Sequence, residues 1–108
     1  MADVKLSNCL SAELGASHCL RWMVLRGEVD LSSANVLRTT LLGEGAPTVI
    51  VDLSGVSFID VLGVGVLLSA HQSLQRRGGQ VVLRHPAPQP RRVFEMLGLG
   101  ELLDACAA

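Results

Sequence analysis

Aromatic residues make up only 3% of this 108-residue chain: one Trp, two Phe and no Tyr. Any core must therefore be filled by Val and Leu, which the 49% hydrophobic content supplies. A chain of this length buries roughly two thirds of its unfolded surface, enough for one domain, 1–108, with one core. No apolar run approaches the ~20 residues that cross a bilayer. The best candidate, Val61 to Leu68, is short and interrupted by Gly63 and Gly65. The first residues, MADVKLSN, lack the basic and apolar regions of a secretory signal, so the expected compartment is the cytoplasm. Charge of one sign is missing too. Nine basic and ten acidic residues leave a net charge of −1, which gives no electrostatic footprint for nucleic acid and none for direct membrane insertion. Three cysteines at irregular spacing do not make a disulfide framework.

Catalytic signatures are also absent. The three histidines, His18, His71 and His85, stand in no recognisable nucleophile motif, and Asp52-Leu53-Ser54-Gly55 lacks the first glycine of G-x-S-x-G. Gly63-Val64-Gly65 is half of a dinucleotide fingerprint without its third glycine, and there is no phosphate-binding G-x-x-x-x-G-K-[ST] loop. The chain is thus not expected to be an enzyme, and no cofactor is implied. Cys9, His18 and Cys19 are donors of a type zinc accepts, but their spacing fits no zinc pattern, so no metal is expected. Cys9 and Cys19 raise a redox question. If a hairpin turns near Glu13 and Leu14, residues whose numbers sum to about 28 face each other, and these two cysteines become a candidate redox pair. A slip of one residue destroys that pairing.

What is present is an alternation of β-branched runs and helical patterns. Val4 to Leu10 and His18 to Arg26 have strand character, with Ser11 to Ser17 between them as a hairpin loop. Asp30, Ser32 or Ser33 can cap a helix in which Leu31, Ala34, Val36, Leu37, Leu41 and Leu42 recur at near-helical spacing, ended by Gly43 and Gly45. Thr48 to Leu53 reads as a strand buried on both faces. Asp60 caps a helix that runs to about Arg77 and stops at Gly78-Gly79. Gln80 to Arg84 is a short strand, and Pro90 opens a last helix that reaches Gly98. The order β-β-α-β-α-β-α with a short tail predicts a small α/β domain, a mixed, mostly parallel sheet backed by helices. Asp60, Val61 and Leu62 then fall at the carboxyl edge of a central strand, where α/β proteins usually place their sites. Val61 and Leu62 either fold inward onto the core or stand exposed as a protein contact.

These residues resemble a known family. Gly27-Glu28-Val29-Asp30 is similar to the Gly-Glu-Leu-Asp turn of STAS domains, the anti-sigma factor antagonist family. Val51 to Asp60, followed by Gly63-Val64-Gly65-Val66-Leu67-Leu68, resembles its signature strand and helix, and Pro90 to Leu103 resembles its last helix and the segment after it. The resemblance covers about residues 20 to 103. It implies a transcription regulator that binds an anti-sigma factor, often a serine kinase. The implied contact surface combines Asp30, Ser32 and Ser33 from one turn with Asp60, Val61, Leu62, Gly63, Val64 and Gly65 from the other. In the family the Asp is typically followed by two Ser or Thr residues and then Gly, and the first hydroxyl is the one phosphorylated. Here those positions are Val61 and Leu62, so no phosphorylation is expected at the usual place. Another branch of the family offers an alternative, the small cytoplasmic subunit of a membrane lipid-transport complex. A homodimer remains open.

Overall fold

Two helices begin on the residue after an aspartate, and both begin where neighbouring strands of one sheet end. The computed structural model describes residues 2–104. Strands β1 (Ala2–Lys5), β2 (Leu10–Ala16) and β3 (Arg21–Val29) form an antiparallel meander. Helix α1 (Leu31–Leu41) leads to β4 (Thr48–Ile59), α2 (Val61–Gln75) leads to β5 (Gln80–Arg84), and α3 (Pro88–Met96) and α4 (Gly100–Asp104) close the described chain. The sheet order is β1-β2-β3-β4-β5. The pairings β3–β4 and β4–β5 are parallel, whereas β1–β2 and β2–β3 are antiparallel. The sheet is therefore mixed, as expected, but parallel pairs are half of it and not the greater part.

Both parallel connections step in one direction across the sheet. Right-handed crossovers of that kind place α1 and α2 on the same face. The strands show it directly. In β4, Val49, Val51 and Leu53 are buried while Thr48, Ile50 and Asp52 are only partly covered. The expected strand buried on both faces is thus a long strand buried on one. Its apolar alternate residues, Ile50 above all, made it look symmetric in sequence. Past Leu53 the burial period lengthens to Val56 and Ile59, because the β3–β4 register shifts between Val24 and Arg26 and again between Gly27 and Glu28. Leu37 and Leu41 of α1, Leu67, Ala70 and Leu74 of α2, and Phe94 of α3 complete the core over the buried face. Burying a Leu or Phe side chain stabilises by about 1.5–3 kcal/mol.

The N-terminal region differs from the expectation. Ser11 to Ser17 is not a loop: most of it is β2, with Leu10 and Ala12 turned inward and Ser11 and Glu13 outward. Gly15 fits there because Trp22 on β3 lies across it. A Cβ at Gly15 would stand 2.1 Å from Trp22 Cε2. The chain turns instead at Leu6–Cys9 and at Ser17–Leu20, so β2 and β3 pair with Leu10 opposite Gly27 and Ala16 opposite Arg21. That register places Cys9 and Cys19 at opposite ends of β2. Seven residues of strand hold them roughly 20 Å apart, far beyond disulfide reach. Both are exposed free thiols. The candidate redox pair is overturned, and Cys9 is likewise far from His18 and Cys19.

Candidate functional site

Val29 pairs with Ile59 at the ends of β3 and β4, so Asp30 and Asp60 follow side by side. Both are N-caps in extended conformation. Asp30 Oδ1 accepts from the Ser32 amide at 2.9 Å and from the Ser32 hydroxyl at 2.7 Å. The Ser33 hydroxyl in turn accepts from the Asp30 amide at 3.3 Å, closing a capping box. Asp60 Oδ1 accepts from the Gly63 amide at 2.8 Å. Two helix N-termini, each carrying about half a positive charge, thus open on one shelf and are each met by a carboxylate. The seam is tied from below: the Asp60 amide donates to Val29 O at 3.3 Å.

Apolar side chains stand around these caps. Leu31 is 73% exposed, Val61 64%, Leu62 52% and Phe58 41%. The two arrangements left open for Val61 and Leu62 therefore resolve toward exposure. Leu31, expected on the buried stripe of α1, is the most exposed of the four. The buried positions are Ser33, Leu37 and Leu41, spaced four apart, and the small capping serine takes the first of them. That spacing turns Leu31 outward.

Not every residue of the expected contact surface is at the surface. Asp30, Ser32, Asp60, Val61, Leu62 and Gly65 are exposed or partly so, whereas Ser33, Gly63 and Val64 are buried beneath them. Gly63 is required by the fold: a Cβ there would come within 2.7 Å of both Val29 Cγ1 and Ile59 Cγ1. Gly65 is not, since a Cβ there meets nothing within 4 Å. Of the nearby serines, Ser57 donates its hydroxyl to Gly27 O at 3.3 Å, and Ser54 lies exposed on β4.

Sequence reasoning missed two contributors. Gln89 on α3 clamps the end of β4, its Oε1 accepting from the Ile59 amide at 2.9 Å and its Nε2 donating to Ile59 O at 3.0 Å. This amide fixes the residue before Asp60 and carries no local signal. Leu31 was findable: Asp30-Leu31 repeats the order of Asp60-Val61, a cap followed by a bulky apolar residue.

The comparisons with known proteins agree with this fold. The family model described as Mlab, STAS domain matches residues 17–104. The chain belongs to the STAS domain family. It is 35% identical over 86 residues to the anti-sigma F factor antagonist of Lysinibacillus sphaericus, covering 75% of this chain and 74% of that one. It is 32% identical over 85 residues to the anti-sigma-B factor antagonist of Bacillus subtilis (strain 168), covering 77% and 78%. Among solved structures, the unphosphorylated form of the anti-sigma factor antagonist SpoIIAA superposes with a TM-score of 0.73 at 28% identity, covering 84% of each chain. An anti-sigma factor antagonist from Mycobacterium paratuberculosis shares the fold, with a TM-score of 0.74 at 21% identity over 90% of each chain. No helix of the described residues is long and apolar enough to cross a membrane.

Proposed function

We propose that this STAS domain is an anti-sigma factor antagonist. It regulates sigma-dependent transcription in the cytoplasm, without catalysis, by docking an anti-sigma factor of the serine-kinase type on the shelf between α1 and α2. The observation that carries this reading is the pair of adjacent capped N-termini ringed by exposed Leu31, Phe58, Val61 and Leu62. Exposed apolar residues gathered at one edge mark a protein contact. The names of the relatives above 30% identity support the class of partner, and they favour it over a lipid-transport subunit.

Docking on this shelf is constitutive with respect to position 61, because a valine offers no hydroxyl to phosphorylate. Calorimetric titration against the anti-sigma kinases of the same genome tests this. Wild type binds one of them equally well before and after incubation with ATP. Val61→Asp places a carboxylate in the apolar ring and weakens binding at least ~10-fold, the scale of a central interface residue. Val61→Ser restores a hydroxyl, accepts phosphate in the presence of ATP, and then loses affinity, since a phosphate adds about −1.5 to −2 charges to an apolar contact. Undiminished binding by Val61→Asp would place the contact elsewhere.

A further inference from the structure

Among the described residues, none covers the second face of the sheet. No residue on that side of β2, β3, β4 or β5 is buried, yet a continuous apolar row crosses it. Gly15, Trp22, Ile50 and Val82 are register partners from β2 to β5, and Val24 stands in the next row. The indole of Trp22 leans over Gly15, so it fills the β2 end of the row, while Ile50 and Val82 form a lower step at the β5 end. The adjacent row reads Glu13, Val24, Asp52, Arg84. It has an acid at the β2 end and a base at the β5 end. Arg84 is exposed and has no hydrogen-bond or ion-pair partner among the described residues. Glu13 uses only Oε2 internally, in a 3.3 Å pair with Arg26.

We infer that this face is a homodimer interface in which two copies pack sheet on sheet about a two-fold axis lying between β3 and β4 and running along the strands. Such an axis exchanges the β2 end of one copy for the β5 end of the other. Trp22 then covers Ile50 and Val82 of the partner subunit, high on low, and Arg84 meets Glu13 of the partner subunit, twice by symmetry. A self-complementary patch is what a two-fold interface requires. The occupant is a second copy and not a strongly charged partner because the face carries both signs in nearly equal number, with Asp3, Glu13, Glu28 and Asp52 against Lys5, Arg26 and Arg84. Sheets packed this way sit about 10 Å apart and keep their strands within roughly 30° of alignment. The covered area is on the order of 500 Å² per copy, the low end for a specific contact, so the dimer is a weak, concentration-dependent one. Its location leaves the α1–α2 shelf free at the carboxyl ends of the strands, and each dimer presents two shelves. The dimer stands or falls independently of what the shelf binds.

Sedimentation velocity of the full chain from about 10 µM to 1 mM tests this. Wild type shows one monomer–dimer equilibrium within that range. The single Trp of the chain reports on the same face, and its emission shifts to shorter wavelength as the dimer forms. Arg84→Glu, an exposed change that leaves the circular dichroism spectrum intact, faces Glu13 of the partner subunit and weakens the dimer at least tenfold. The double variant Glu13→Arg/Arg84→Glu restores it to within about threefold. A wild type that stays monomeric at 1 mM, an assembly larger than a dimer, indifference to Arg84→Glu, or a double variant no better than the single one each overturns the proposal.

Discussion

Gly63 and Gly65 stand two positions apart on one helix and answer to different demands. Gly63 faces Val29 and Ile59 so closely that any side chain must displace them, and Val29 O lies 3.0 Å from the added carbon. Gly63→Ala therefore costs about 1–3 kcal/mol of stability, as overpacking of a filled site does. Gly65 is open on its outer side, so Gly65→Ala gains about 0.5–1 kcal/mol, the difference in helix propensity. If a partner's backbone approaches that turn, the same added methyl weakens docking while the fold improves. Denaturant unfolding and titration of the two variants check both halves, and opposite signs for stability and binding at Gly65 are the expected signature. Asp60 carries a separable role. Asp60→Ala loses the Gly63 cap and about 1 kcal/mol, while Asp60→Asn, which still accepts that bond, stays within a few tenths. Urea midpoints with unchanged slopes measure the difference.

At the scale of elements, the parts legible in sequence are those whose signals are local. The caps at Asp30 and Asp60, the stop at Gly78 and the span of β5 all follow from side chains acting within a turn of themselves, whereas α3 starts at Pro88 and not at the expected Pro90, because the earlier proline already suits the first helical position. The β1–β3 meander was not legible. β2 keeps a true period-two pattern, but it is written in Ser, Ala and Gly, which also make turns, and only Trp22 on the next strand explains why a glycine belongs there. The site was half legible for the same reason: the caps were visible, while the clamp from Gln89 depends on a contact thirty residues away. Arg21 is a further long-range device. From the start of β3 it reaches the helix side, donating from Nε to Ala46 O at 2.7 Å, from Nη2 to Leu41 O at 2.8 Å and from Nη1 to Thr40 O at 3.3 Å. It satisfies carbonyls that the end of α1 leaves open. Burial, and secondarily Arg77, lowers its pKa from the usual arginine value, yet a guanidinium stays charged at any pH where the protein folds. Arg21→Met keeps the apolar stem and removes all three bonds, so it costs about 2–3 kcal/mol, read as a lower midpoint in guanidinium chloride. Arg21→Lys recovers no more than part of that, because an ammonium cannot reproduce the fork.

Over the whole molecule the sheet runs from a weak edge to a strong centre. Every residue of β1 is exposed, and its four residues pair on one side only. By contrast, β4 is held between β3 and β5, carries five of the buried core side chains and is clamped at its end by Gln89. The opposite edge, β5, is short as well, but it is secured from the helix layer: the Val81 amide donates to His71 Nδ1 on α2 at 3.0 Å. Opening free energy should follow this order, since regions with few buried contacts open locally while central strands open only with the whole fold. Hydrogen exchange at neutral pH is expected to show β1 amides exchanging orders of magnitude faster than those of β4, with β5 between them. His71→Phe fills the same space without an acceptor, so it selectively lowers protection of the Val81 amide, by about tenfold for the loss of one bond worth about 1–1.5 kcal/mol. Uniform protection from β1 to β4 would contradict the gradient, and a Val81 amide unaffected by His71→Phe would contradict the tether. The gradient also bears on function, because the capped shelf is built on the ends of the two most strongly held strands. If the shelf is the docking surface proposed above, its recognition depends on that rigidity, so variants that loosen β1 are expected to leave docking intact while those that free Ile59 from Gln89 are not. Gln89→Leu, with both bonds to Ile59 removed, is accordingly expected to weaken partner binding more than deletion of residues 1–4, which spares Lys5 beside Ser32.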